Sequence, residues 1–202
     1  MKEKFNIERD EEHVYTVDGK IMPSVTQILQ AHLQIDYYHQ DDYYKDRGSE
    51  VDRCSVLYLE DDLDWDTIDP RVRPFIEQFK IFCETSSFSS IAHHGFVHDP
   101  VMGFAGEFDL FGTMGDWDSP RFVLIDIKTG SEMPHYKLQT AMYVMAFLQT
   151  HTDFTGHSLT DIKRFGLYLA RDHYKLKKHD NPVDFSYAQS ICLANTARKL
   201  YV

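Results

Sequence analysis

The chain contains 202 residues, of which 43% are hydrophobic and 14% aromatic, and it carries a formal net charge of −11. This length and composition predict one globular domain over residues 1–202, with enough apolar side chains for a core of its own. No apolar run approaches the ~20 residues that cross a bilayer, and residues 1–12 lack the apolar segment of a secretory signal. We therefore expect no membrane partner and a cytoplasmic location.

The charge is unevenly distributed along the chain. Residues 120–202 contain 11 Lys and Arg against 7 Asp and Glu, a balance of +4, whereas residues 1–119 contain 10 and 25, a balance of −15. Three lysines of the basic part lie close together in sequence, namely Lys175, Lys177 and Lys178. The overall acidity therefore does not exclude a polyanionic partner such as nucleic acid.

Cysteines and histidines are the usual candidates for transition-metal ligands. The three cysteines are far apart in sequence and never form a C-x-x-C spacing, which argues against an iron–sulfur cluster. His93, His94 and His98 lie close together in "AHHGFVH". They leave a zinc site open as an alternative, although no cysteine or carboxylate accompanies them at zinc-like spacing.

The predicted elements begin with an N-terminal extension of about residues 1–40. In "VYTVDGKIMPSVTQILQ", alternating residues surround Asp18 and Gly19, which predicts a β-hairpin. Ser24 and Gln27 form a capping-box pattern, which predicts the start of a short helix.

The rest of the chain predicts a layered α/β arrangement. Helices are predicted over residues 41–59 and 71–85, the second with Phe75, Phe79 and Phe82 on one core-facing stripe. Short β-rich runs then follow, separated by turn residues. The order is three strands (90–98, 103–112 and 121–129), a helix (133–150), a strand (162–170) and a closing helix (184–201). This predicts a central mixed β-sheet flanked by helices.

Two opposite charges interrupt the apolar run "VLIDIKTG". Because side chains alternate along a strand, Asp126 and Lys128 share one face while Ile125 and Ile127 share the other. A solvated salt bridge on an edge strand is the simple interpretation. The functional one adds Asp109 from the neighbouring strand. Phosphodiester hydrolysis needs a metal held by hard oxygen ligands, and Asp109, Asp126 and the Ile127 carbonyl can hold Mg²⁺ or Mn²⁺ while Lys128 reaches the water or phosphate.

Three segments in order, "FAGEFDLFG", "VLIDIKTG" and "HYKLQTAMY", resemble the signature of the PD-(D/E)xK nuclease superfamily, in its RecB-like exonuclease branch with phage and mitochondrial members. The resemblance implies a restriction-endonuclease-like αβββαβ core and a metal-dependent DNA exonuclease of recombination, repair or phage DNA processing. It implies catalytic roles for Asp109, Asp126, Lys128, Gln139 and Tyr143.

The same resemblance implies a set of partners and a setting. The expected substrate is DNA, at single- or double-stranded ends. Independently of the resemblance, the charge difference between the two parts of the chain predicts that DNA approaches the face bearing Gln139, Tyr143 and the later lysines. A recombination protein or a second copy of the chain is a further candidate partner, and a bacterial or phage-infected cell is the expected setting. A catalytically weakened, nuclease-fold DNA-binding module is the alternative function.

Two positions depart from the family pattern. "RGSEVD" places Asp52 where the family has a histidine, and His94-Gly95 stand where an acidic residue is expected. We expect Asp52 to act as a further metal ligand, the alternative being a solvated helix carboxylate. Glu107 is a second candidate ligand, the alternative being a solvated strand residue.

Overall fold

The computed structural model describes residues 1–33, 35, 42–115 and 120–201. In this part of the chain five helices flank a five-stranded mixed sheet and a separate three-stranded antiparallel sheet. The strands are β1 (Ile7–Arg9), β2 (Tyr15–Val17), β3 (Lys20–Met22), β4 (Ser89–Asp99), β5 (Phe104–Met114), β6 (Arg121–Lys128), β7 (Lys163–Leu169) and β8 (Tyr174–Lys178). The helices are α1 (Val25–Leu33), α2 (Asp42–Leu59), α3 (Arg73–Thr85), α4 (Tyr136–Thr150) and α5 (Val183–Tyr201).

The large sheet has the order β4-β5-β6-β7-β8. Only β6 and β7 pair in parallel, and α4 makes the crossover between them, as a parallel pair requires. One face packs against α1, α4 and α5 around Phe108, Leu124 and Phe147. The other face packs against α2 and α3 around Phe79 and Ile125. Both faces of β6 are therefore covered.

The predicted order of helix, three strands, helix and strand is confirmed from α3 to β7. The aromatic stripe of α3 is core, as predicted: Phe75 is 4% exposed, and Phe79 and Phe82 are fully buried. Helix α4 is buried on almost every side because it lies between the sheet and α5. An all-round apolar helix is the expected sequence for such a position.

The N-terminal hairpin and capping box are also confirmed. Asp18 and Gly19 both have positive φ, 47° and 80°, which matches the twist of a two-residue hairpin loop. The Ser24 backbone N–H donates to Gln27 Oε1 at 2.9 Å, and the Gln27 N–H donates to Ser24 Oγ at 3.0 Å. Strand β1, which no sequence pattern predicted, adds a third strand to this small sheet.

Helix α2 and strand β8 differ from the predicted elements. Helix α2 runs without a break through Gly48; position 41, where its start was predicted, lies outside the described residues. Strand β8 was missed because "YKLKK" reads as a charged segment. Lysines are common on edge strands, where they discourage pairing with another chain. None of the helices among the described residues combines the length and apolar character that crossing a bilayer requires.

Candidate active site

The candidate site lies where β5 and β6 separate. The two strands pair from Met114 opposite Arg121 up to Leu110 opposite Ile125. Beyond that point the Ile127 N–H donates instead to Asp109 Oδ2, at 2.5 Å. Strand β6 meanwhile stays paired with β7 to its last residue. The Asp109 side chain thus replaces a backbone partner, and the strands open into a cavity.

Asp126 and Lys128 form an ion pair at this opening. Lys128 Nζ lies 2.7 Å from Asp126 Oδ2, with the side chains 18% and 2% exposed. The ammonium also lies 4.8 Å from the centre of the Tyr136 ring. The predicted alternation is confirmed, because Ile125 and Ile127 belong to the opposite core. A solvated edge salt bridge is excluded, since β6 is an inner strand with both faces covered.

The electrostatics of this trio follow from its burial. Burial raises the pKa of Asp109, and the charges of Asp126 and Asp52 raise it further. Burial also raises the pKa of Asp126, although Lys128 opposes that shift. Burial alone would lower the pKa of Lys128, but Asp126 and Asp109 outweigh it and raise that pKa. Two buried carboxylates facing one ammonium leave an excess of negative charge that an added cation would relieve.

The trio lines a cavity of about 720 Å³. Helix α2 forms one wall, the middle of β5 and the end of β6 form the floor, and the residues that follow Lys128 form the other wall. The lining polar side chains that bear on function are Arg47, Asp52, Asp109, Asp126, Lys128, Tyr136 and Gln139. The cavity therefore collects most of the predicted site residues from four different elements.

Gln139 and Tyr143 form one unit on α4. The Gln139 amide Nε2 donates to Tyr143 Oη at 2.9 Å, which confirms that they share a helical face. Gln139 lines the cavity, whereas Tyr143 is only 6% exposed and lies behind it. A Cβ at Gly106 would lie 2.9 Å from Tyr143 Cε1, so the glycine of the G-x-x-D motif lets β5 approach this ring. Tyr143 thus holds Gln139 in place.

Asp52 faces the cavity but has a partner that the sequence analysis did not predict. Its Oδ2 lies 3.2 Å from His94 Nε2, and His94 Nδ1 lies 2.8 Å from Glu107 Oε1. Glu107 also pairs with Arg9. The nearby carboxylates of Asp52 and Glu107 raise the pKa of His94 to about 10. Glu107 is therefore a member of an ion network, and its interpretation as a solvated strand residue was wrong.

The predicted metal sites depend on how the candidate ligands are grouped in the structure. Among them, no three His, Cys, Asp or Glu side chains are grouped so that they could hold a metal ion. The suggested zinc histidines have different partners: His93 lies 3.5 Å from Glu60, and His98 Nδ1 lies 2.8 Å from the Phe104 carbonyl oxygen. The structure thus gives no support to a zinc site. Hard oxygen donors are available from Asp109 and Asp126.

Arg47 is a cavity residue that the sequence analysis did not single out. Its Nη2 donates to the Thr129 carbonyl oxygen at 2.7 Å, which ties α2 to the end of β6. Its guanidinium lies 4.9 Å from the Phe75 ring centre and 5.0 Å from that of Tyr44. The sequence signal that could have identified Arg47 is its position at the start of "RGSEVD", directly before Gly48.

The predicted basic face lies on β8, but its lysines are paired. Lys175 Nζ lies 3.3 Å from Glu132 Oε2, and Lys177 pairs with the same carboxylate. Lys178 Nζ lies 3.5 Å from Asp180 Oδ2. All three side chains stay at least 42% exposed. A polyanion at this face would compete with internal carboxylates.

Comparisons with known proteins assign no family. No family model matches the chain, and no curated protein matches it. Solved structures match the chain, among them one titled "Crystal structure of SSO0001", which is 14% identical with a TM-score of 0.36. That alignment covers 88% of this chain and 84% of the other.

Proposed function

We propose that the chain is a Mg²⁺- or Mn²⁺-dependent DNA exonuclease with a restriction-endonuclease-like core of the PD-(D/E)xK type. The observation that carries the proposal is the Asp126–Lys128 ion pair, which lies beside Asp109 where β5 and β6 separate. Two neighbouring inner strands have little structural reason to bury a lysine and two carboxylates side by side. Such groups, in a cavity of suitable size, are typical of a catalytic site.

The residues fit a hard divalent cation. Asp109 and Asp126 offer carboxylate oxygens, and Ile127 lines the same cavity, where its carbonyl oxygen would be the third ligand. Asp52 would join them only by giving up part of its contact with His94. The bound cation would supply Lewis-acid stabilisation of the phosphate and a more acidic water.

The chain's own groups would then position the reactants. The Lys128 ammonium, held by Asp126 and backed by Tyr136, would donate hydrogen bonds to the scissile phosphate or the attacking water. Gln139, fixed by Tyr143, would bind a backbone phosphate oxygen or the same water. Such contacts carry no sequence information, which agrees with degradation of DNA rather than recognition of one site.

A DNA-binding module with weakened catalysis is the second candidate function. The observation that favours it is the Asp52–His94–Glu107 network, which engages the third carboxylate of the cavity. Fewer free carboxylates would weaken metal binding and slow turnover, while DNA could still occupy the cavity.

One experiment separates these functions. End-labelled linear DNA and closed circular DNA are incubated with the protein in Mn²⁺ or in EDTA. An exonuclease degrades the linear DNA only, and only with the metal. Loss of the circular DNA would indicate an endonuclease, and binding without degradation would indicate the DNA-binding module. Within this proposal the protein acts in the cytoplasm, with a recombination protein or a second copy as a further partner.

A further inference from the structure

The segment that joins β6 to α4 carries one carboxylate that binds two lysines. Glu132 Oε2 lies 3.3 Å from Lys175 Nζ, and its other oxygen pairs with Lys177. Lys175 and Lys177 are two residues apart on β8, so they extend from the same face of the strand. Two ammonium groups therefore converge on one anionic group across the edge of the sheet.

This triad stands directly beside the candidate active site. Met133, the next residue after Glu132, lines both the catalytic cavity and an adjoining groove of about 370 Å³. Glu132 and Lys177 line that groove, together with Lys137 and Lys178. The cavity and the groove therefore adjoin at Met133.

The contacts of Glu132 resemble those of a phosphate. Two lysines that converge on a pair of carboxylate oxygens can equally hold two oxygens of a phosphodiester, which also carries one negative charge. All three side chains are between 37% and 62% exposed. Ion pairs at that exposure are weak, so a nucleic-acid phosphate could displace the carboxylate.

The other carboxylates of the groove are less suited to such an exchange. Asp184 is 1% exposed and is held by Arg164 at 3.1 Å, so it belongs to the interior. Within the described ranges of the chain, Asp180 pairs with a single lysine, Lys178, at 3.5 Å. Glu132 is thus the carboxylate that occupies two lysines at once next to the cavity.

We propose that Lys175 and Lys177 form a backbone-phosphate subsite for the DNA strand outside the catalytic cavity. Glu132 occupies this subsite in the DNA-free protein and is displaced when DNA binds. The inference rests on the proposed function and deepens it, because it gives the strand a path from the cavity along β8. It also gives Glu132 a regulatory effect, since the carboxylate lowers the affinity for any polyanion that does not fill the subsite.

The test compares two substitutions that each remove one exposed, ion-paired carboxylate. Glu132→Gln frees the two lysines. Glu77→Gln is the matched control, because Glu77 is 51% exposed, pairs with Arg73 at 3.2 Å on α3 and lines none of the cavities described above. Binding of fluorescent single-stranded oligothymidylate is measured by anisotropy in EDTA, so that the strand is not consumed.

Glu132→Gln should tighten binding about threefold to tenfold relative to Glu77→Gln, because the competing internal carboxylate is gone. Adding Lys175→Gln and Lys177→Gln to Glu132→Gln should remove this gain. The inference is overturned if the two glutamine variants bind alike, if neither binds, or if the gain survives loss of both lysines.

A parallel cleavage assay of the parent protein in Mn²⁺ keeps the two claims distinct. If the parent degrades DNA and Glu132→Gln has no effect on binding, the subsite is wrong and the nuclease stands. If the parent degrades no DNA but Glu132→Gln tightens binding through the two lysines, the subsite stands and the nuclease assignment is wrong.

Discussion

The carboxylate of Asp52 on α2 lies 3.2 Å from Nε2 of His94 on β4. The RecB-like pattern that the sequence resembles has the histidine on the helix and the acid on the strand. In this chain the helix carries the acid and the strand carries the histidine. The two positions that depart from that pattern in sequence are therefore in contact in the structure.

The exchange predicts how a reciprocal pair of substitutions behaves. Each single substitution should lower the cleavage rate. Asp52→His places two imidazoles side by side, and His94→Asp places two carboxylates side by side. The double variant restores one of each and should recover part of the parent rate, because the new carboxylate at position 94 would still lie beside Glu107. Aspartate also tolerates the positive φ of 49° at position 94. Initial rates in Mn²⁺ test this, and a double variant no faster than the slower single one would contradict it.

Asp109→Asn should stabilise the metal-free protein while removing its activity. The pKa of Asp109 is raised in the fold, so its contribution to stability is present at acid pH and lost as pH rises through the folded pKa. A neutral amide avoids that loss at pH 7 and can still accept the Ile127 N–H. A gain of about 1 kcal/mol in the free energy of unfolding would raise the melting temperature by ~2–4 °C.

The control for this experiment is Asp172→Asn, which removes a carboxylate that is 86% exposed and should leave the melting temperature unchanged. Added Mn²⁺ should raise the melting temperatures of the parent and of Asp172→Asn. It should raise the melting temperature of Asp109→Asn much less. Equal stabilisation of all three proteins by the metal would show that Asp109 is not a ligand.

The sequence predicted those features that depend on local periodicity. The shared face of Asp126 and Lys128 followed from strand alternation, and the Gln139–Tyr143 contact followed from helical spacing. The partner of Asp52 could not be predicted in this way, because β4 and α2 are distant in sequence and no local pattern pairs their side chains. The contacts of Glu132 could not be predicted either. They depend on β8, and the lysines of β8 make that strand look like a charged, solvated segment.

Gln139 and Tyr143 should behave as one functional unit. Tyr143→Phe removes the hydroxyl that accepts from Gln139 and should lower kcat/KM about tenfold, with little loss of stability because the ring stays buried. Gln139→Ala should cost at least as much, and the double variant should be no worse than Gln139→Ala. Steady-state kinetics of the three variants test this, and additive losses would mean that Tyr143 acts independently of Gln139.

His151 should make the fold sensitive to acid. Its side chain is fully buried, and its two ring nitrogens have no hydrogen-bond partner in the described part of the chain. Burial and the N-terminal ammonium lower the pKa of His151 to about 4. Its ordinary pKa is about 6.5, so the unfolded chain takes up a proton first as pH falls from about 6.5 to about 4, and stability declines over that window.

His151→Phe keeps an aromatic ring beside Phe147 and removes the proton uptake. Urea unfolding at several pH values should show a smaller decline for this variant between about pH 6.5 and pH 4. Part of the decline should remain, because burial also lowers the pKa of His179 to about 4. An unchanged decline would show that His151 does not titrate on unfolding.

The most direct test of the catalytic assignment is the cleavage rate of end-labelled linear DNA in Mn²⁺ after substitution of Lys128. Lys128→Ala removes the ammonium, and Lys128→Gln keeps a hydrogen-bond donor for Asp126 should the first variant fold poorly. Lys80→Ala is the control, because Lys80 is 46% exposed and pairs with Glu84 on α3. We expect both Lys128 variants to lose about 100-fold or more in rate, with Lys80→Ala matching the parent. Parent-like cleavage by folded Lys128→Ala or Lys128→Gln would contradict the assignment of this site.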